Sequence, residues 1–163
     1  MKKRILVKGP ALSRSGYGVQ SRFAINALRS REDIFDIYIL NISWGTTGHV
    51  AEDSEEIEYI KQTMLKTQMY VAQGGQFDIS LQITVPNEFE KKAPKSICVT
   101  AGIETDRVSP AWLVKTHQGI DKLIVPSEHA KSGFENTSYE MTHSQTGTRT
   151  IVDCGCPIDV VPY

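Results

Sequence analysis

No apolar run in this chain is long enough to cross a bilayer. The longest, such as Ile37-Tyr38-Ile39-Leu40, stop far short of the roughly 20 residues a spanning helix needs. The start, Met1-Lys2-Lys3-Arg4, leads into only Ile5-Leu6-Val7 before Lys8. That is too short for the apolar centre of a signal peptide. Charge of one sign is also missing: 18 Lys and Arg stand against 19 Asp and Glu, for a net charge of −1. Without a basic excess, no nucleic-acid partner is expected. Cysteine is sparse and odd in number, at Cys98, Cys154 and Cys156. An odd count without a signal peptide fits free thiols, a reducing compartment and a cytoplasmic location. Cys154-Gly155-Cys156 lacks the two further ligands of a zinc site and reads as small residues near a strand end. No metal is expected. Repeats, low-complexity tracts, a G-x-G-x-x-G fingerprint and a phosphate-binding P-loop are absent as well. So are Ser-His-Asp and Cys-His arrangements.

What remains is an ordinary globular composition, 40% apolar and 23% charged over 163 residues, enough for one domain with a core. Short apolar runs alternate with helical patterns. Ile5 to Lys8 reads as a buried strand, then a Gly/Ser loop. Tyr17 to Ser30 follows with Val19, Phe23 and Ala27 on one helical face. Asp36 to Ser43 is β-branched and aromatic and predicts a second strand. Asp53 is placed to cap a helix, with Glu56 three residues on, and Ile57, Ile60, Met64 and Val71 mark its buried face. Gly74-Gly75 ends it. Phe77 to Thr84 and Ser96 to Ala101 predict strands three and four. Ser109-Pro110 opens a short helix that Gly119 closes. Lys122 to Pro126 predicts strand five, and Ser127 caps a helix running to about Asn136. The polar, Ser/Thr-rich stretch from 137 to 150 predicts a loop. Ile151 to Asp153 and Val160-Val161 are the last strand candidates.

This alternation predicts an α/β fold. It is a Rossmann-like, doubly wound parallel sheet with helices on both faces, spanning residues 1–163 as one domain. Ligands of such sheets bind beyond the carboxyl ends of the strands. Three segments fall there. Gly9 to Gly18 joins the first strand to a helix start, where backbone N–H groups can meet a phosphate; a plain turn is the bland alternative. Gly102 to Arg107 follows strand four and carries Glu104 and Asp106, candidates for acid–base work or hydroxyl binding; a solvated loop is the alternative. Pro126 to His129 follows strand five, with Ser127 a helix cap first and a ligand contact second. Asn41-Ile42-Ser43 ends strand two without the acidic residue that holds a nicotinamide ribose, which disfavours a dehydrogenase or epimerase.

In order along the chain, four motifs resemble one family. Ser15-Gly16-Tyr17-Gly18 with Arg22 is similar to the opening of GT-B fold glycosyltransferases, especially the retaining family four. Glu104-Thr105-Asp106 followed by Ser109-Pro110-Ala111-Trp112 resembles an E-T-D-x-x-P-x-x-W segment of one branch. Asp121 to Ser127 resembles its D-x-x-x-V-P-S strand, and Val160 to Tyr163 the linker that ends its N-terminal domain. The resemblance implies the acceptor-side half of an enzyme that moves a sugar from a nucleotide-sugar to an acceptor glycan or other hydroxyl compound. Gly16, Tyr17, Gly18 and Ser127 would contact the donor, and Glu104 and Asp106 would act catalytically. No cofactor beyond the nucleotide-sugar substrate is implied. Some members carry a histidine or aspartate near the end of strand four, where this chain has Val99-Thr100-Ala101-Gly102. The family's C-terminal donor-binding domain, with its Glu-x7-Glu motif, has no counterpart in these residues. Transfer by the chain alone is therefore not expected; a separate partner or a homo-oligomer is. A non-catalytic Rossmann-type binding or interaction module is the alternative.

Overall fold

The computed structural model describes residues 1–51, 53–117 and 119–162, and these form an α/β fold. In chain order the elements are β1 (Lys3–Gly9), α1 (Gly16–Arg29), β2 (Phe35–Asn41), α2 (Glu55–Ala72), β3 (Ile79–Ile83) and, after a 3-10 turn at Pro86–Glu88, β4 (Lys95–Val99). Then come α3 (Pro110–His117), β5 (Lys122–Val125), α4 (Glu128–Glu135), β6 (Tyr139–Thr142), β7 (Arg149–Val152) and β8 (Ile158–Val160). Six strands form one parallel sheet in the order β2-β1-β3-β4-β5-β8, flanked by helices, as the alternation predicts. Among the described residues no helix is long and apolar enough to cross a membrane. Tyr163, the last residue of the linker motif, lies outside the described residues. The chain divides into two compact units. The first holds Met1–Thr84 with Lys92–Lys95, and the second holds Val85–Lys91 with the chain from Ser96 on.

In the first unit β1 is paired on both sides, with β2 and with β3. Ile5, Leu6 and Val7 are buried, as a central parallel strand requires. Right-handed crossovers send α1 and α2 to opposite faces, because β2 and β3 lie on opposite sides of β1. The buried face of α1 is not the predicted one. Phe23 is 66% exposed, Val19 and Ala27 are exposed too, and Gly18, Ser21 and Ile25 point inward. The helix packs by its smallest residues, so an apolar-moment reading selects the wrong side. Gly9 shows why: a Cβ there would lie 2.5 Å from Ser21 Oγ and 3.1 Å from the Ile83 carbonyl.

The cap of α2 is Ser54, not Asp53: its hydroxyl accepts from the Ile57 N–H. Ile57 and Ile60 are buried as predicted, but the face continues through Thr63 and Thr67, while Val71 is exposed. The threonines have a reason to be inside. Strand β2 is an edge strand, and an uncovered edge leaves N–H and C=O groups unpaired. The Ile39 N–H donates to Thr67 Oγ1 at 2.8 Å, and Thr67 in turn donates to the Thr63 carbonyl at 2.8 Å. Lys66 Nζ reaches the Ile37 carbonyl at 2.9 Å. Helix α2 therefore closes the sheet edge with polar side chains.

The amino ends of the strands are fastened by charge. Arg4 donates through its backbone N–H and two guanidinium nitrogens to Asp78, and through the third to Tyr70 Oη. Those donors hold the Asp78 carboxyl below its ordinary range.

In the second unit Leu113, Leu123, Val125, Ala130 and Phe134 form a fully buried core together with Cys98. Trp112 stacks on Phe134 with ring centroids 6.1 Å apart. The stretch predicted as a loop is an antiparallel hairpin of β6 and β7, in register from Tyr139↔Val152 to Thr142↔Arg149. Both its faces meet solvent except at the paired Tyr139 and Val152, so its sequence shows no apolar alternation. Ile151 accordingly belongs to the hairpin, and the sixth strand of the main sheet is β8 alone.

Two outcomes follow for stability. Thr67→Val leaves the Ile39 N–H buried without a partner and should cost about 1–3 kcal/mol in urea unfolding, with Thr67→Ser recovering most of it. A cost below ~0.5 kcal/mol for the valine variant would show that the edge bond is dispensable. A carboxyl whose native pKa is lowered contributes stability that is present above its unfolded value of about 3.9 and is lost as pH falls through the native one. The stability gap between the wild type and Asp78→Asn should thus be widest near neutrality and shrink in acid. A pH-independent gap between the two would rule this out.

Candidate functional site

The first unit presents the glycine segment. Strand β1 ends at Gly9, and the chain turns back over its end, with Ser13 N–H donating to the Pro10 carbonyl at 2.8 Å. Arg22, one turn into α1, holds this loop by donating to the Ala11 and Ser13 carbonyls at 2.8 and 3.0 Å. The loop is zipped to the segment after β2: Arg14 N–H to the Gly48 carbonyl at 3.0 Å, Val50 N–H to the Leu12 carbonyl at 2.8 Å, and a bridge between Ser13 and His49. Asn41 closes the set, accepting from the Leu12 N–H at 3.0 Å. The residue where a nicotinamide enzyme would carry an acid is occupied here in fixing the loop.

Ser15 caps α1 and accepts from the Gly18 N–H at 3.1 Å. The three glycine-segment residues thus differ. Gly18 is buried, its N–H is taken, and a Cβ on it would sit 2.1 Å from the Ser13 carbonyl oxygen. Glycine at 18 is required by the packing of the loop. Gly16 is exposed, with nothing within 4 Å of where its Cβ would be. An anion at this helix start meets Gly16 first, where the dipole also favours it. Tyr17 is half-buried, and its ring leans on Trp44 with centroids 4.5 Å apart. The pair makes an aromatic wall beside the helix start, of the kind that takes the face of a base or sugar.

Three residues here escaped the sequence: Lys8, Gln82 and Trp44. Lys8 is only 6% exposed and Gln82 is fully buried, and they are in register at the carboxyl ends of β1 and β3. Strand order reverses between these two strands, which is where open α/β sheets gather ligands. Both side chains are engaged rather than idle. The available signal was a lysine and a glutamine inside otherwise apolar strands. Trp44, the partner of Tyr17 in the wall, had none beyond its place after a strand.

The second unit presents the other two segments, and it brings them together. Gly102 lies beside Pro126, whose Cγ would be 3.7 Å from a Cβ at 102. Ile103 packs onto Gly133 of α4, where a Cβ would come within 2.4 Å of Ile103 Cδ1. Val108 ties down the far end of the loop: its N–H donates to Thr137 Oγ1 at 3.2 Å and its carbonyl accepts from Tyr139 Oη at 2.9 Å. Between these anchors Glu104 and Asp106 are exposed and make no hydrogen bond or ion pair with a described residue. Thr105 instead folds its hydroxyl onto the Arg107 carbonyl at 2.7 Å. Ser127 is the cap of α4, accepting from the Ala130 N–H at 3.1 Å, and is half-buried. His129 is exposed in the first turn of α4. Asp121, the first residue of the strand-five motif, has a structural duty, accepting from the Ser96 N–H at 2.7 Å and from Lys91 at 2.8 Å.

Among the described residues no group of three or more His, Cys, Asp or Glu is placed to hold a metal ion. A depression of about 300 Å3 lined by Lys2, Glu32, Asp36, Tyr59 and Lys66 lies at the amino ends of the strands. Its polar groups are taken up by one another, Lys66 with Asp36 at 2.5 Å and the Tyr59 hydroxyl donating to Glu32 at 3.2 Å, so it reads as surface structure. No family model, curated protein or solved structure matches the chain.

The two glycines of the helix start separate packing from access. Gly18→Ala forces a methyl against backbone and should lower stability by about 1–3 kcal/mol, while Gly16→Ala meets open space and should change it far less. Equal denaturation midpoints for both variants would contradict the close approach of the loop to α1.

Proposed function

We propose that this chain is the acceptor-side half of a glycosyltransferase that uses a nucleotide-sugar. The observation that carries the reading is the loop from Gly102 to Val108. It is anchored at both ends, and it offers two exposed carboxylates, Glu104 and Asp106, that take no part in holding the fold together. Most carboxylates near the ends of the strands have partners: Asp36 with Lys66, Asp78 with Arg4, Asp121 with Lys91. A pair of unpaired carboxylates on a loop anchored at both ends suits the binding of acceptor hydroxyls and the removal of a hydroxyl proton as it attacks the sugar. At the other segment the open helix start at Gly16 suits a diphosphate, with the Tyr17–Trp44 wall beside it for a flat ring. Ser127 enters through its hydroxyl, already engaged as a cap. A Rossmann-like sheet hosts many activities, so the reading rests on these segments and their order along the chain, not on the fold. A donor-binding domain, from other sequence or another chain, would complete the enzyme.

The second reading is a binding or interaction module. It is favoured by the exposed apolar residues of the first unit, Phe23 on α1 and Leu65 and Met69 on α2, which are 66%, 61% and 64% exposed.

Titration of the isotope-labelled chain with uridine and guanosine diphosphate sugars tests the choice. The Gly16 and Tyr17 amide signals should move, and those of Glu104 and Asp106 should respond to an added glycan acceptor. Glu104→Gln and Asp106→Asn should keep wild-type stability within about 0.5 kcal/mol. They should also leave the Gly16 response unchanged while removing the acceptor response. No movement at Gly16 with any nucleotide-sugar at saturating concentration would end the glycosyltransferase reading and leave the module.

A further inference from the structure

The Cys154-Gly155-Cys156 turn, between β7 and β8, plays no part in the proposed transferase. Its two sulfurs lie 3.7 Å apart, and Cys154 Sγ also lies 3.8 Å from the Cys156 carbonyl oxygen. What holds them together is Gly155, whose φ of +63° only glycine adopts without strain. The same glycine is pressed on the end of α3, since a Cβ there would lie 2.9 Å from both His117 Cα and His117 Nδ1. His117 in turn contacts Asp153 at 3.2 Å. The turn is thus fixed by its neighbours in a shape that faces one thiol toward the other.

We propose that Cys154 and Cys156 form a thiol–disulfide exchange site whose co-reactant is a small-molecule disulfide of the glutathione type. The two sulfurs differ in access and in charge. Cys154 is 6% exposed, while Cys156 is partly open to solvent. Hydrogen bonding from Cys156 holds the Cys154 thiol below its ordinary value, and the same contact, with burial, pushes Cys156 up. Cys154 is therefore the first of the two to give up its proton.

The chemistry follows in two steps. Cys156 passes its proton to Cys154 across the 3.7 Å contact and attacks one sulfur of the disulfide RSSR. A Cys156–SR bond forms, the S–S bond of the reagent breaks, and RS⁻ leaves and takes up a proton from solvent. Cys154 then gives up its proton and attacks Cys156 Sγ. The Cys154–Cys156 bond forms, the bond to SR breaks, and the second RS⁻ leaves and is protonated. Two protein thiols are oxidised by two electrons, and one disulfide is reduced to two thiols. The sulfurs must close from 3.7 Å to the roughly 2.05 Å of a disulfide. Two residues apart, they close a small, strained ring, and strained disulfides are the readily reduced ones. The site is therefore a reversible one and not a structural staple. Cys98 is fully buried in the core and takes no part.

The test is peptide mapping by mass spectrometry after equilibration of the whole folded chain in glutathione buffers. In excess oxidised glutathione, Cys154 and Cys156 should be linked to each other with Cys98 still free to alkylate after unfolding, and excess reduced glutathione should reverse the link. Cys154→Ser should accumulate a glutathione adduct on Cys156, because the resolving thiol is gone. Cys156→Ser should stay largely unmodified at Cys154, because that sulfur is enclosed. Both cysteines remaining free in the wild type under oxidising buffer would overturn the proposal, as would linkage through Cys98. An adduct on Cys154 in Cys156→Ser, with none on Cys156 in Cys154→Ser, would overturn the assigned order of attack. The wild-type result decides the site even if a variant fails to fold.

Discussion

The close approach of α1 to the end of β1 is the constraint from which the first unit follows. At Gly9 there is no room for a Cβ between Ser21 and Ile83, and at Gly18 none beside Ser13. Small residues on both sides let the helix lie directly on the strand. The chain leaving β1 must then turn sharply, and Arg22 holds that turn through two carbonyls. With the loop fixed, Ser15 falls into position as the cap and Gly16 is left facing solvent. The open helix start is thus a product of packing. A larger residue at 9 or 18 would displace it before any ligand was involved.

The second unit reaches a comparable result by other means. Its loop from Gly102 to Val108 is held by apolar contact at Ile103 and by backbone bonds at Val108, without help from its charged residues. A charged side chain that stabilises a fold is normally recognised by its partners, as Asp121 is by the Ser96 N–H and Lys91. Glu104 and Asp106 have no such partners among the described residues. Desolvation costs them little in the free protein, and they remain available to a polar ligand.

Much of this architecture was legible in the sequence because it rests on local rules. Leu123-Ile124-Val125 is apolar because β5 is an inner strand with one face buried and the other half-buried, and Ser109, Ser127 and Pro110 mark helix starts by capping and by a missing N–H that need no tertiary context. What escaped depends on neighbours distant in sequence. The inward face of α1 is chosen by how closely it must approach β1, so Ser21 and Gly18 are inside while Phe23 is out. Thr63 and Thr67 face inward because the edge strand β2, 28 residues before Thr67 at Ile39, needs donors and acceptors. The hairpin of β6 and β7 was masked because neither face is buried over most of its length, so no alternation could record it. Trp44 became part of a site only through its contact with Tyr17, 27 positions earlier in the chain.

The cysteine turn and the carboxylate loop meet opposite ends of the same helix. Gly155 presses on His117 at the carboxyl end of α3, whereas Ser109 and Val108 join the loop to its start. Eight residues separate them, roughly 12 Å of helix at 1.5 Å per residue. Leu113 lies between them, fully buried, and Trp112 is stacked on Phe134. Closing the two sulfurs moves atoms at His117 and at the approach to β8, where Leu123 N–H donates to the Pro157 carbonyl at 3.0 Å. The consequences of oxidation therefore belong to the edge of the sheet at β8 and to the end of α3.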